Sequence, residues 1–300
     1  MDGRHLLMTR SSRGAATRSP RTAVGLLPFF GFTALFLGAP LVGLIVSAFH
    51  VPVPNAPGQS VLGLGNFAAS LSGGPGEAIG NSIQISAIAA LIGTVCGALV
   101  AQAIVTLDSP ALHSTTTVLS TVLANAGGIS LAFSFIVVLG NVGFLTELLP
   151  LKEIGFSLYS GAGLILMYQY FLIPTMVMLF LPTLGGVRRE WRESASSLGA
   201  PWYQFWARVG LPVVTPALLS GFVLLFGASL ATHVSAAALI GGANFPLVTL
   251  KIAGLLTGGN ASGQENVAMA LSVNMIVIAL VTLAISIPLQ KRSRQWLSAK

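Results

Sequence analysis

Apolar residues along this chain fall into long blocks that no ionised side chain interrupts. Between successive charged residues the uncharged runs are 22–76, 78–107, 109–146, 154–187, 209–250 and 266–290. A helix that crosses a bilayer needs about 20 mostly apolar residues, since each residue rises about 1.5 Å through a hydrocarbon core of about 30 Å. Six such runs predict six spanning helices, near 23–49, 78–105, 113–139, 160–182, 214–240 and 266–289. The first run contains FFGFTALFLGAPLVGLIVSAF followed by the loop-like VPVPNAPGQS, so it holds one span rather than two. The expected fold class is an all-α integral membrane protein.

Composition sharpens this. Of 300 residues, 54% are hydrophobic and 8% charged, whereas a soluble protein carries about 25% charged residues. A soluble enzyme or nucleic-acid binder is disfavoured despite the net charge of +7. Disorder, which needs low hydrophobicity and high charge, is excluded. The lone cysteine, Cys96, rules out a disulfide framework or a multi-cysteine metal site within one chain.

The basic residues set an orientation, because Lys and Arg are retained on the cytoplasmic side. With six spans, both termini and the 106–112 and 183–213 loops share one side. That side carries 13 of the 15 basic residues, leaving only Lys152 and Lys251 opposite. Both termini are therefore expected in the cytoplasm. The organisation read from this is a basic tail over 1–22, a membrane domain over 23–290, and a second basic tail over 291–300. The first tail is polar and its following apolar stretch is long, so it reads as a retained tail and not a cleaved signal peptide.

Catalytic patterns are missing. A P-loop needs Gly immediately before Lys to cradle phosphates, and none of Lys152, Lys251, Lys291 and Lys300 follows a glycine. The histidines (His5, His50, His113, His233) are scattered, with no HExxH pair for a metal. Proton- and ion-coupled carriers usually keep an ionisable group within a spanning helix. Here no carboxylate lies well inside a predicted helix, and Glu265 only edges the last. Energy for transport is expected from another chain.

One segment is patterned differently: RREWRESASSLGAPWYQFWARVGLPVVTPALLSG, residues 188–221. ESASSL suits a short helix, and Gly199 allows a tight turn. Pro201 fits the first turn of a second helix, where no amide is lost. Gly210 and Pro212 are expected to end that helix, and Pro216 to open the next span. Trp202, Phe205 and Trp206 give it an apolar face, suited either to lipid headgroups or to a groove on a soluble partner.

This segment resembles the EAA loop of ABC importer permeases, in which E-A-A-x-x-x-G is followed after about ten residues by an apolar residue and L-P. Glu193, Ser194 and Ala195 stand for the EAA, Gly199 for the glycine, and Leu211-Pro212 for the closing pair. Ser194 departs from the pattern in replacing the first alanine. GLGNF (63–67) before the second helix and the six spans agree with the match. The resemblance implies a MetI-like type I importer permease, its EAA coupling loop spanning 188–212. A short coupling helix at 189–206 would dock on an ABC ATPase dimer through Glu193, Ser194, Ala195, Gly199, Ala200, Trp202, Phe205, Leu211 and Pro212. It also implies a second permease in a heterodimer, an extracytoplasmic solute-binding protein, and a bacterial inner-membrane location. Such a chain is not an enzyme and holds no cofactor, since ATP and Mg are bound by the ATPase. SLGAPWYQFW, NAGGISLAFSFIVVLGNVGFLT (125–146) and SAAALIGG (235–242) are similar to the polyamine, 2-aminoethylphosphonate, iron and thiamine group. A sugar-type importer is the alternative substrate class.

Polar side chains within the spans are candidates for a solute path. Ser229, Thr232 and His233 fall at i, i+3 and i+4 on the fifth helix. Asn125, with Gly127-Gly128, marks a place where the third helix could break to expose backbone groups. Gln169, between Tyr168 and Tyr170, lies in the fourth helix, and Asn274 in the sixth. The same residue types also serve as interhelical hydrogen-bonding glue. Two further classes remain open on this reading: a channel or scaffold with a lipid-anchored loop, and an ion-coupled carrier.

Overall fold

The computed structural model describes residues 28–53, 56, 59–149, 153, 155–187, 189–241, 245–258 and 264–298. The tail 1–22, Lys152, Arg188, Gly242 and Lys300, all weighed above, lie outside the described residues. Among the described residues, six helices are long and apolar enough to cross a membrane. The protein is a multi-pass membrane protein.

Helix α1, Pro28–Phe49, opens the described chain and takes one π-type turn at Ala34–Gly38. The chain divides into two compact units after Leu44. In the first, Phe32 and Phe36 stack at 4.4 Å. The second begins with a hairpin where a plain loop was expected: β1, His50–Pro52, pairs antiparallel with β2, Ser60–Leu62, with Val51 opposite Val61. The β-branched pair favours the extended form. Asn66 of GLGNF, nearly buried, then donates to the carbonyls of Ala48 and His50 at 2.9 and 3.0 Å. It heads α2, Gly65–Leu71.

The core is built by α3, Gly73–Leu107, and α7, Gly161–Gly185, with α9, Trp202–Ala231, packed on both and α12, Gln264–Ser298, on α9. Lipid gives helices no hydrophobic reason to associate, so small residues that admit close approach decide where they meet. On α3 these are Ser86, Ala90, Gly93, Gly97 and Ala101, all buried. Gly93 faces Leu172 and Gly97 faces Met176 of α7. Asp108 ends α3 in a left-handed conformation (φ +48°), and the Ser109 hydroxyl accepts from the Leu112 amide to cap the next helix, with Pro110 at its first turn.

Five expectations need correction. The third predicted span, 113–139, is two helices, α4 (Pro110–Asn125) and α5 (Ile129–Leu139), separated at Ala126–Gly128. The segment long and apolar enough to span is Ile129–Leu148, which takes in the short α6, Phe144–Leu148. The fifth, 214–240, is also split: α9 stops at Ala231 and α10 runs Val234–Ile240. Gly210 and Pro212 do not end a helix. A π-type turn at Trp206–Gly210 absorbs the amide that Pro212 lacks, and α9 continues past Pro216. Finally, α11, Val248–Thr257, occupies part of what was read as an external loop. Its first amide donates to Ser82 Oγ of α3 at 2.8 Å. The last helix continues to Ser298 rather than stopping near 289, since 290–298 holds no glycine or proline to halt it.

Candidate functional site

The stretch 189–206, expected as a single coupling helix, holds one short helix, α8 (Arg189–Ser197), and the first turn of α9. Helix α8 ends in a Schellman cap: the Gly199 amide donates to Ser196 O (2.9 Å) and the Ala200 amide to Ala195 O (3.0 Å). This closure requires a left-handed residue after the helix, and Gly199 sits at φ +76°. The EAA-like spacing thus has a local physical cause. Ala195 supplies the carbonyl that closes the cap, and Gly199 the only residue type without a steric penalty there.

Beyond the cap, Pro201 precedes Trp202, which starts α9. Leu198, Trp202 and Tyr203 are 87%, 64% and 70% exposed, three large apolar side chains left open around the turn into α9. Glu193, Ser194, Leu211 and Pro212 are also exposed, while Ala195 and Ala200 are half-buried. Phe205 departs from the expected docking face. It is 3% exposed and turns inward with Trp206, their rings 5.8 Å apart. A side chain at position 210 would overlap the Trp206 ring, so Gly210 is what lets Trp206 fold back. Phe205 and Trp206 wall a cavity of about 240 Å³ with Gln102, Thr106, Asp108, Leu184 and Arg192. The loop is therefore keyed to the ends of α3 and α7.

The candidates for a solute path separate. Gln169 donates to Ala89 O of α3 (3.2 Å) and to Ile165 O (3.0 Å), and Asn274 donates to Ser70 Oγ (2.8 Å). Both tie helices together. Ser229, Thr232 and His233 do not share one helical face, because α9 ends between them. Ser229 and Thr232 still meet Ser82, Ser86, Tyr168 and Thr249 around a cavity of about 10 Å³. The Ser229 hydroxyl and His233 Nδ1 are buried with no hydrogen-bond partner among the described residues. Asn125 is exposed at the end of α4 and donates to Thr121 O at 2.8 Å.

The residue the sequence reading missed is Ser235. Its hydroxyl donates to Gly128 O (3.0 Å) and accepts from the Gly128 amide (3.1 Å). The two broken helices are joined at their breaks, α10 against α5. Gly128 at φ +84° explains the second glycine of NAGG. The serine of SAAALIGG carried no sign of this, since a lone Ser in an apolar helix is ordinary.

No family model matches the chain. The fold is that of the membrane subunit of an ABC importer. A bacterial ABC transporter that imports the acidic polysaccharide alginate matches with a TM-score of 0.67 at 20% identity, over 94% of this chain and 97% of that one. The alginate transporter in complex with an alginate pentasaccharide-bound periplasmic protein matches at 0.68 and 18%, over 92% and 95%. In sequence the chain is similar to named permeases. The probable sulfate transport system permease protein cysT of Prototheca wickerhamii is 28% identical over 156 residues, 51% of this chain and 59% of the relative. The sulfate transport system permease protein CysT of Escherichia coli (strain K12) is 34% identical over 88 residues, 29% of this chain and 31% of that protein. The matched region spans no more than 59% of these relatives' length.

Proposed function

We propose that the chain is a permease subunit of an ATP-driven type I ABC importer in a bacterial inner membrane, with both termini cytoplasmic. It would form a solute path with a second, homologous permease and receive solute from an extracytoplasmic binding protein. ATP and Mg would be bound by a separate ATPase dimer. The observation that carries the reading is the Gly199-capped α8 with its exposed Leu198, Trp202 and Tyr203. An apolar knob on a basic loop, fixed to the helix ends through Phe205 and Trp206, is suited to enter a groove on a soluble partner and pass its motion to the spans. The solute favoured is small and polar or charged, of the polyamine, aminophosphonate, iron or thiamine type. The relatives named for sulfate keep an oxyanion as the competing substrate.

Gly199→Val tests the coupling role. A β-branched residue at φ +76° costs about 1–2 kcal/mol, enough to undo the cap. The variant is expected in the membrane at normal levels, with ATP-driven uptake lost and ATP hydrolysis no longer responsive to solute. Gly199→Asn, which tolerates this conformation better, should retain part of the uptake. Unchanged uptake in the valine variant contradicts the assignment.

A further inference from the structure

Six hydroxyls from four helices surround one small cavity: Ser82 and Ser86 of α3, Tyr168 of α7, Ser229 of α9 with Thr232 at its end, and Thr249 of α11. Outside this cluster a helix hydroxyl commonly gives its proton to the carbonyl one turn back. Thr175 donates to Phe171 O, Ser272 to Ala268 O and Thr282 to Ile278 O. Such a bond satisfies the hydroxyl within its own helix. Ser86, Tyr168 and Ser229 do otherwise. Each is 2% exposed, and none of their hydroxyls has a hydrogen-bond partner among the described residues.

A buried hydroxyl without a partner is costly, so three around one space point to a partner they share. The space itself says what that partner is. It measures about 10 Å³, and a single water needs roughly 10–15 Å³. Its wall offers both protons and lone pairs. Ser82 Oγ accepts from the Val248 amide at 2.8 Å and still has a proton to give, whereas Thr232 donates to Ala228 O at 2.8 Å and keeps only lone pairs. An occupant must therefore accept and donate at once, as water does. No carboxylate lines the cavity, so a bare cation would be buried there without a counter-charge.

We propose that this cavity binds one ordered water molecule, held by the Ser86, Tyr168 and Ser229 hydroxyls. About three hydrogen bonds are what a buried water typically makes. The water joins α3, α7 and α9 at the place where α9 stops, beside the Ser82 bond that fastens α11. Four helices then share one polar joint, in a setting where lipid gives them no hydrophobic reason to associate.

The test is pulsed X-ray radiolysis of the full-length chain in lipid nanodiscs, read by mass spectrometry. Radicals formed from water oxidise the aromatic rings next to it, so a buried ring is labelled only where a water is held against it. Tyr168 should be labelled, and Phe180, on the same helix and 4% exposed, should stay at background. Ser229→Val puts a methyl group in the water's place and should lose the Tyr168 label, with the label on exposed Tyr203 unchanged. Ser229→Ala removes one hydroxyl but leaves the room, and should keep the label. Replacing sodium and potassium by choline should alter neither the label nor Tm. Tyr168 as unlabelled as Phe180 overturns the proposal, and so does a folded Ser229→Val variant that keeps the label. A Tm that falls in choline overturns it as well, because the occupant is then a cation. If Ser229→Val does not fold, the wild-type label, Ser229→Ala and the choline exchange decide the matter.

Discussion

Gly97 and Gly199 are glycines for opposite reasons. At Gly199 the backbone demands a left-handed conformation, and a side chain would have open space around it. At Gly97 the backbone is ordinary helix, but an added Cβ would lie 2.9 Å from Ile173 O and press on Met176. Gly93, one turn away, would meet Leu172 Cβ at 2.9 Å. Gly97→Leu should therefore cost about 1–3 kcal/mol through overpacking, read as a lower Tm in detergent. Gly80→Ala on the same helix, with nothing within 4 Å, should leave Tm unchanged or slightly raised. An equal drop in both would show that the α3–α7 contact does not depend on close approach. The role of Gly199 was legible because E-S-A-x-x-x-G is a local pattern whose cap forms within seven residues. GTVCG at 93–97 was on the page as well, but small residues acquire meaning only when the facing helix is known.

Helix interruptions show where local reading succeeds and where tertiary structure overrides it. Gly127-Gly128 marked the break between α4 and α5, as two adjacent glycines weaken any helix. No such mark exists at Thr232-His233, where α9 nevertheless gives way to α10. Conversely, Gly210 and Pro212 read as a stop, yet one widened turn carries the helix through. The two breaks meet at Ser235 and Gly128. Ser235→Ala leaves the half-buried Gly128 groups without that partner, a loss of about 1 kcal/mol. Hydrogen exchange at the Gly128 amide should then quicken about fivefold. Ser134→Ala, whose hydroxyl serves only its own helix, should leave that amide as it was. If both variants behave alike, the clasp does not hold the breaks together.

At the scale of the whole molecule, the six spans were the most legible feature, because bilayer thickness sets a length and a composition that no soluble fold imitates. Their pairings were not, since apolar sequence says little about which helix meets which when lipid is as apolar as leucine. The candidates for a solute path could not be sorted for the same reason. Gln169 and Asn274 became interhelical ties once the facing helices were known. The proposed function depends on other chains, and the claim on which it stands is that the exposed Leu198, Trp202 and Tyr203 dock on an ATPase. The direct measurement is purification of the tagged chain in mild detergent, with a photo-crosslinking residue at Leu198, and mass spectrometry of what is bound and what is crosslinked. The account predicts an ABC ATPase crosslinked at position 198, with a second permease and a solute-binding protein alongside. The chain recovered alone, uncrosslinked and moving solute in liposomes without ATP, would contradict it.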